Sequence, residues 1–145
     1  MQARGSSIFW DTNLFLYLLE DSPQFGTAVA DLRRSMLRRG DRLFTSALTL
    51  GEVLVKPLCT GNTMLADSYR GFFGAPELTI SYFDTHAAEA YAHIRQDRTI
   101  QPADAIQLAC ASAADIDLFI TNDDRLSRKS IPGINFITSL SRAPI

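Results

Sequence analysis

Apolar positions along this chain follow two rhythms, and the change from one to the other marks its elements. Short runs rich in β-branched and aromatic residues predict strands: SIFW at Ser7–Trp10, RLFTSA from Arg42, LTISYF from Leu78, DLFIT ending at Thr121 and INFIT ending at Thr138. Between them the apolar residues recur at helical spacing. LFLYLLE reads as a first helix, with Asp11 or Thr12 able to cap it. A second runs from after Ser22-Pro23 to Gly40, a C-terminal glycine. LTLGEVLVKPL predicts a third that stops near Pro57, and NTMLADSYRGFF a fourth closed by Gly74 and Pro76. THAAEAYAHIRQD and PADAIQLACASAAD are two more, and DRLSR is a short helical turn. Strands alternating with helices predict an α/β fold: one domain over residues 1–145, with a mostly parallel sheet of about five strands and helices on both faces.

Composition adds bounds. A chain of 145 residues, 46% hydrophobic and 21% charged, is long enough to bury a core and is not of the disordered class. The net charge of −2 gives no overall attraction for nucleic acid, so any such binding needs a local basic patch. Cys59 and Cys110 are too few and too far apart for a disulfide framework or zinc site, and two free thiols are expected. MQARGSS does not resemble a signal peptide, and no apolar run approaches membrane-spanning length, so a cytoplasmic location is expected.

The candidate chemistry lies in the acids. Ligands of parallel α/β sheets bind beyond the carboxyl ends of the strands. Asp11 ends the first strand, and Glu52 lies about one and a half turns past the second. Asp104 falls in the first turn of the helix opened by Pro102, and Asp123 and Asp124 end the fourth strand. Each has an ordinary structural explanation: Asp11 an N-cap, Glu52 the far end of a Thr49–Glu52 capping box, Asp104 a partner of the helix dipole, Asp123 a turn residue. Gathered at one sheet edge, about four negative charges would repel one another unless a cation sat among them. Oxygen-only donors suit Mg²⁺ or Mn²⁺. No G-x-S-x-G elbow, Walker loop or G-x-G-x-x-G fingerprint competes, and metal-assisted hydrolysis of a phosphate ester is the best-fitting reaction.

IFWDTNLFLYLLE, TSALTLGEVL, PADAIQLACA and LFITNDDRL resemble, in order and over nearly the whole chain, the four acidic motifs of PIN-domain ribonucleases, most closely those of VapC-type toxins. The resemblance implies that Asp11, Glu52, Asp104 and Asp123 are the catalytic, metal-binding acids. Asn13 and Thr121 would be supporting polar residues and Asp124 an additional acid. It implies Mg²⁺- or Mn²⁺-dependent endoribonuclease action, homodimerisation, and inhibition by an antitoxin protein. Asp11, Asp104 and Asp123 would hold the principal ion, with Glu52 holding a second ion or orienting the attacking water. One departure is Gly51 beside Glu52, where glycine costs ~1 kcal/mol relative to alanine; close packing there would account for it.

Other residues are weighed against simpler roles. Arg33, Arg34, Arg38, Arg39 and Arg42 are either an RNA-backbone contact or a solvated helix end suited to the dipole. Lys56, Arg95 and Arg98 are alternative RNA contacts. His86 and His93, seven apart, are expected to be packing or surface histidines. Tyr69, Phe72, Phe73 and Met64 are core or a dimer face. A non-catalytic module is the alternative function: a PIN scaffold, or a receiver-like domain with Asp84 as phosphoacceptor and Thr121 as its switch. Asp84 before THAAEA reads instead as an N-cap, and INFIT is not followed by the lysine a receiver needs.

Overall fold

The computed structural model of the chain describes residues 5–145; residues 1–4, on which part of the signal-peptide expectation rests, lie outside the described residues. The described residues form five strands and six α-helices, the helices in pairs between strands: β1 (Ser7–Trp10), α1 (Thr12–Leu19), α2 (Gly26–Arg39), β2 (Arg42–Ser46), α3 (Ala47–Cys59), α4 (Thr63–Phe73), β3 (Leu78–Ser81), α5 (Thr85–Ile94), α6 (Pro102–Ala113), β4 (Leu118–Thr121) and β5 (Phe136–Ser139). A 3₁₀ turn at Leu126–Arg128 takes the place of the expected DRLSR helical turn. Every strand pairing is parallel, and the sheet order is β3-β2-β1-β4-β5.

Burial explains the order. Every residue of β1 and of β4 is buried, as expected of strands covered on both faces. Successive side chains of β1 serve opposite layers. Ile8 and Trp10 pack with Leu14, Phe15, Val29, Met36, Val53 and Phe73 on the α1–α4 side. Phe9 faces the other way, to Ile94, Ala105, Leu108 and Phe119 on the α5–α6 side. Phe9 and Phe119, paired in register across β1 and β4, stack with centroids 5.0 Å apart and planes 11° from parallel.

The chain leaves β1 towards β2 and β3, then crosses back to add β4 and β5 on the other side. The connections after β1 and β4 therefore diverge, which opens a crevice at the carboxyl ends of these two strands.

Local signals set most boundaries. Gly40 closes α2 at φ 75°, a left-handed conformation that suits glycine. Asn62 and Asp84 cap α4 and α5 by accepting from Leu65 N (3.1 Å) and Ala87 N (2.9 Å). Three expectations are corrected. α3 does not stop near Pro57 but runs on to Cys59, because Pro57 gives up one backbone donor while its ring is buried and its carbonyl still accepts from Asn62 N (2.8 Å). α3 also begins at Ala47, so Thr49 and Glu52 lie inside it and form no capping box. Nothing lies within 4 Å of a Cβ built on Gly51, so close packing does not account for that glycine.

Candidate active site

Asp11 sits where β1 opens into the crevice. It caps α1, its Oδ1 accepting from Thr12 N (2.8 Å), while its Oδ2 accepts from the Thr121 hydroxyl at the end of β4 (2.9 Å). The capping role and the site role thus coexist. Asp11 is only 8% exposed. Burial pushes its carboxyl up to about 6; the hydrogen bonds from Thr121 and Thr12 oppose this, and the charges of Asp104 and Glu52 add to it. Asp104, half-buried in the first turn of α6, is raised by burial, then by Asp123 and Glu52, with Arg125 opposing. Glu52, exposed on α3, accepts from the Thr12 hydroxyl at 2.6 Å. Asp123 accepts from Arg125 N (2.9 Å) and Leu126 N (3.3 Å), so it is a turn residue as well. Its own N–H donates to Thr121 Oγ1 (3.1 Å), and Thr121 thereby ties β4 to two of the acids.

The acids border two adjoining clefts. Asp11, Thr12, Asn13, Glu52, Asp104 and Gln107 line a cleft of about 350 Å³. Asp104 and Asp123 line another, of about 340 Å³, with Thr99, Gln101, Arg125, Arg128 and Lys129 on its walls. Asp104 forms the ridge between them. Four chain segments have thus brought carboxylates to the crevice, and their charges add to the burial that raises Asp11 and Asp104.

The PIN domain model matches residues 8–132. The chain belongs to the PIN-domain family. Its fold is similar to that of VapBC2 from Rickettsia felis bound to promoter DNA, with TM-score 0.71 at 17% identity over 92% of this chain and 98% of the other. DNA-bound VapBC from Salmonella typhimurium gives TM-score 0.69 at 22% identity, covering 93% of this chain and 98% of that one. VapC20 from Mycobacterium tuberculosis, a toxin that cleaves the sarcin-ricin loop, gives 0.69 at 16% identity, covering 87% and 97%. No curated protein matches the sequence.

Within this PIN domain the other candidates fall differently. Asn13 is exposed at the rim of the Asp11 cleft, whereas Asp124 faces solvent and lines neither cleft. The arginine stretch is not brought to the acids. α2 returns to the start of β2, so Arg38, Arg39 and Arg42 lie at the amino-terminal edge of the sheet: Arg39 pairs with Asp41 (3.1 Å) and donates to the Pro144 carbonyl (3.2 Å), and Arg42 sits over the Phe44 ring. Arg33 is partly buried in the field of Glu77, which precedes β3, and Arg34 pairs with Asp31. The cations on the walls of the Asp104–Asp123 cleft are Arg125, Arg128 and Lys129, all following β4, and Lys129 is paired with Asp97 (2.8 Å). LFITNDDRL contained Arg125, and its position two residues after an acid was the signal for it.

Asp84 caps α5 beyond the edge strand β3, two strands away from β1. His86 and His93 border a hollow of about 430 Å³ with Glu89, Ile131 and Pro132. Tyr69 and Phe73 are core, Phe72 packs against it, and Met64 is 85% exposed. Cys59 and Cys110 are both free thiols. No helix among the described residues is long and apolar enough to cross a membrane.

Among the described residues, no three His, Cys, Asp or Glu side chains are gathered tightly enough to cage a metal ion. The donor set nevertheless fits a hard dication. All four groups are carboxylates, and the charges that raise Asp11 and Asp104 are those a cation would neutralise. Mg²⁺ usually keeps several waters and takes only one or two protein carboxylates, so a loose set of acids suits it better than a closed cage would.

Proposed function

We propose that this PIN domain is a divalent-cation-dependent endoribonuclease and the toxin of a toxin–antitoxin pair. The observation that carries the reading is the convergence of Asp11, Glu52, Asp104 and Asp123 on one crevice, with Asp11 and Asp104 raised by burial and then by their neighbours' charge. Such repulsion has little use in a scaffold. The similarity to VapC20, a toxin that cleaves RNA, supports the same chemistry, and the VapBC neighbours support an antitoxin as partner.

In this reading Asp11, Asp104 and Asp123 would hold Mg²⁺ or Mn²⁺, in part through its retained waters, and Glu52 would orient the attacking water or hold a second ion. When bound, the cation supplies a water of lowered pKa and shields the phosphodiester charge. The protein's own residues do the rest. Thr121 fixes Asp11 relative to Asp123, and Thr12 aims Glu52. Arg125 and Arg128 attract the phosphates that flank the scissile one, taking the role the sequence suggested for Arg33, Arg34, Arg38, Arg39 and Arg42. A homodimer is the expected assembly. Val55, Leu58 and Met64 give α3 and α4 an exposed apolar surface for a second copy or for the antitoxin.

Cleavage of total cellular RNA by purified protein tests this, in Mg²⁺, in Mn²⁺ and in EDTA, beside Asp104→Asn. Discrete fragments that disappear with EDTA and with the variant are expected. Intact RNA under every condition, from folded protein, would overturn the nuclease reading.

A further inference from the structure

Beneath the acids lies a buried polar lattice whose hydrogen bonds run in one direction. Gln107, on α6 one turn after Asp104, is 2% exposed. Its Nε2 donates to Thr12 Oγ1 (2.9 Å) and Thr49 Oγ1 (2.8 Å), and its Oε1 accepts from Ser46 Oγ (2.5 Å). The Thr45 hydroxyl has one proton between two acceptors, Thr49 Oγ1 (2.8 Å) and the Trp10 carbonyl (3.0 Å). Thr49 and Thr12 lie 3.2 Å apart, and Thr12 is 2.6 Å from Glu52 Oε1. All five of these residues, Thr12, Thr45, Ser46, Thr49 and Gln107, are buried.

Counting protons fixes the direction. An ionised Glu52 only accepts, so the single hydroxyl proton of Thr12 goes to it. The Thr49 proton must then point at Thr12, and both amide protons of Gln107 are used on the two threonines. Turning the amide over would set Oε1 against Thr12 and Thr49. Two acceptors, Oε1 and Thr12 Oγ1, would then face each other unless the Thr12 proton turned away from Glu52. In the orientation observed, Ser46 donates to Oε1, and every polar atom of the amide has a partner.

We infer that Gln107 is a positioning residue, which sets Glu52 through the Thr12 hydroxyl and so ties α3 to α6 across the crevice. This rests on the metal-dependent reading above. In the sequence its only signal was a lone amide inside the apolar run AIQLACA.

The test is Mn²⁺ binding by calorimetry without RNA, on wild type, Gln107→Leu, Glu52→Gln and the double variant, with melting temperatures recorded alongside. Groups that orient metal ligands typically alter affinity 10–100-fold, so Gln107→Leu is expected to weaken Mn²⁺ at least tenfold. The double variant should bind no more weakly than Glu52→Gln alone, because Gln107 acts through that carboxylate. An unchanged affinity in Gln107→Leu, or a loss that multiplies with that of Glu52→Gln, would mean that Gln107 only packs and would overturn the inference while leaving the metal reading intact. Wild type that binds no Mn²⁺ would overturn both. Should Gln107→Leu fail to fold, Thr12→Ser and Thr12→Val decide. Serine keeps the donor and is expected to keep the affinity, and valine to lose it; equal affinities would sink the inference.

Discussion

Asp11→Asn is expected to make the metal-free protein more stable at neutral pH while removing a carboxylate of the proposed site. The carboxyl is pushed up to about 6 from 3.8, chiefly by burial. That difference corresponds to about 3 kcal/mol against the charged form. Between about pH 3.8 and about pH 6 the folded protein holds the Asp11 proton while the unfolded chain has released it. Stability therefore falls as pH rises through this window and stays lowered above it. Asparagine keeps an acceptor for Thr12 N but presents an amide where Oδ2 accepts from Thr121, a mismatch of about 1 kcal/mol. The net expectation is a gain of about 1–2 kcal/mol at pH 7.5. It should vanish and reverse near pH 4, where wild-type Asp11 is neutral in the fold. Urea denaturation in EDTA at several pH values measures this, with m-values compared to confirm that the same surface is exposed. A variant less stable than wild type at pH 7.5, with the same m-value, would refute the claim that Asp11 is held at a cost to the fold.

Three further predictions use other parts of the structure. Arg125→Ala/Arg128→Ala, built on a non-cleaving Asp104→Asn background, should weaken binding of single-stranded RNA and flatten its log–log salt dependence by about 1.4, two contacts at about 0.7 each; filter binding from low to moderate salt reads the slope, and Arg34→Ala/Arg38→Ala should leave it unchanged. Gly133→Ala should cost well over the ~1 kcal/mol expected of Gly40→Ala, because both have positive φ but a Cβ on Gly133 would meet Ser112 O at 2.6 Å whereas Gly40 faces open space; equal losses in thermal melts would refute this. Iodoacetamide on the native protein should label Cys59, which is exposed, and spare Cys110, which is buried with its thiol pushed up to about 11, so mass spectrometry should show one adduct.

Strands and helices were legible because their signals are local. SIFW and DLFIT are continuous apolar runs, and they became the two strands buried at every position. The placement of the candidate acids was legible for a related reason: Asp11 and Asp123 follow strands, Asp104 begins a helix and Glu52 lies in the second turn of the helix after β2, and a parallel sheet brings such positions to one edge. The place of the arginine stretch was not legible, because density along the chain says nothing about which end of the sheet a helix terminus reaches. α2 returns to the start of β2, and the cations beside the acids come from the short segment after β4, Arg125, Arg128 and Lys129. Gln107 and Thr49 were missed for a different reason. A lone amide or hydroxyl on an apolar helix face has no spacing pattern, and its partners, Thr12 and Ser46, lie on other elements. Gly51 stays without a structural account.

The pairing of β1 with β4 has a consequence for the protein during its own synthesis. The Asp11–Thr121 bond joins residues 110 positions apart, and β1 is the central strand, complete only when β4 lies beside it. A nascent chain that has emerged through α4 carries Asp11 and Glu52 but neither Asp104 nor Asp123. It can pair β1 with β2, yet one edge of its most apolar strand stays open, and such non-local pairing is slow to form. The crevice is therefore assembled late and all at once, by the last third of the chain. A nascent chain that has emerged only through α4 holds half of the acids on which the proposed RNA cleavage rests.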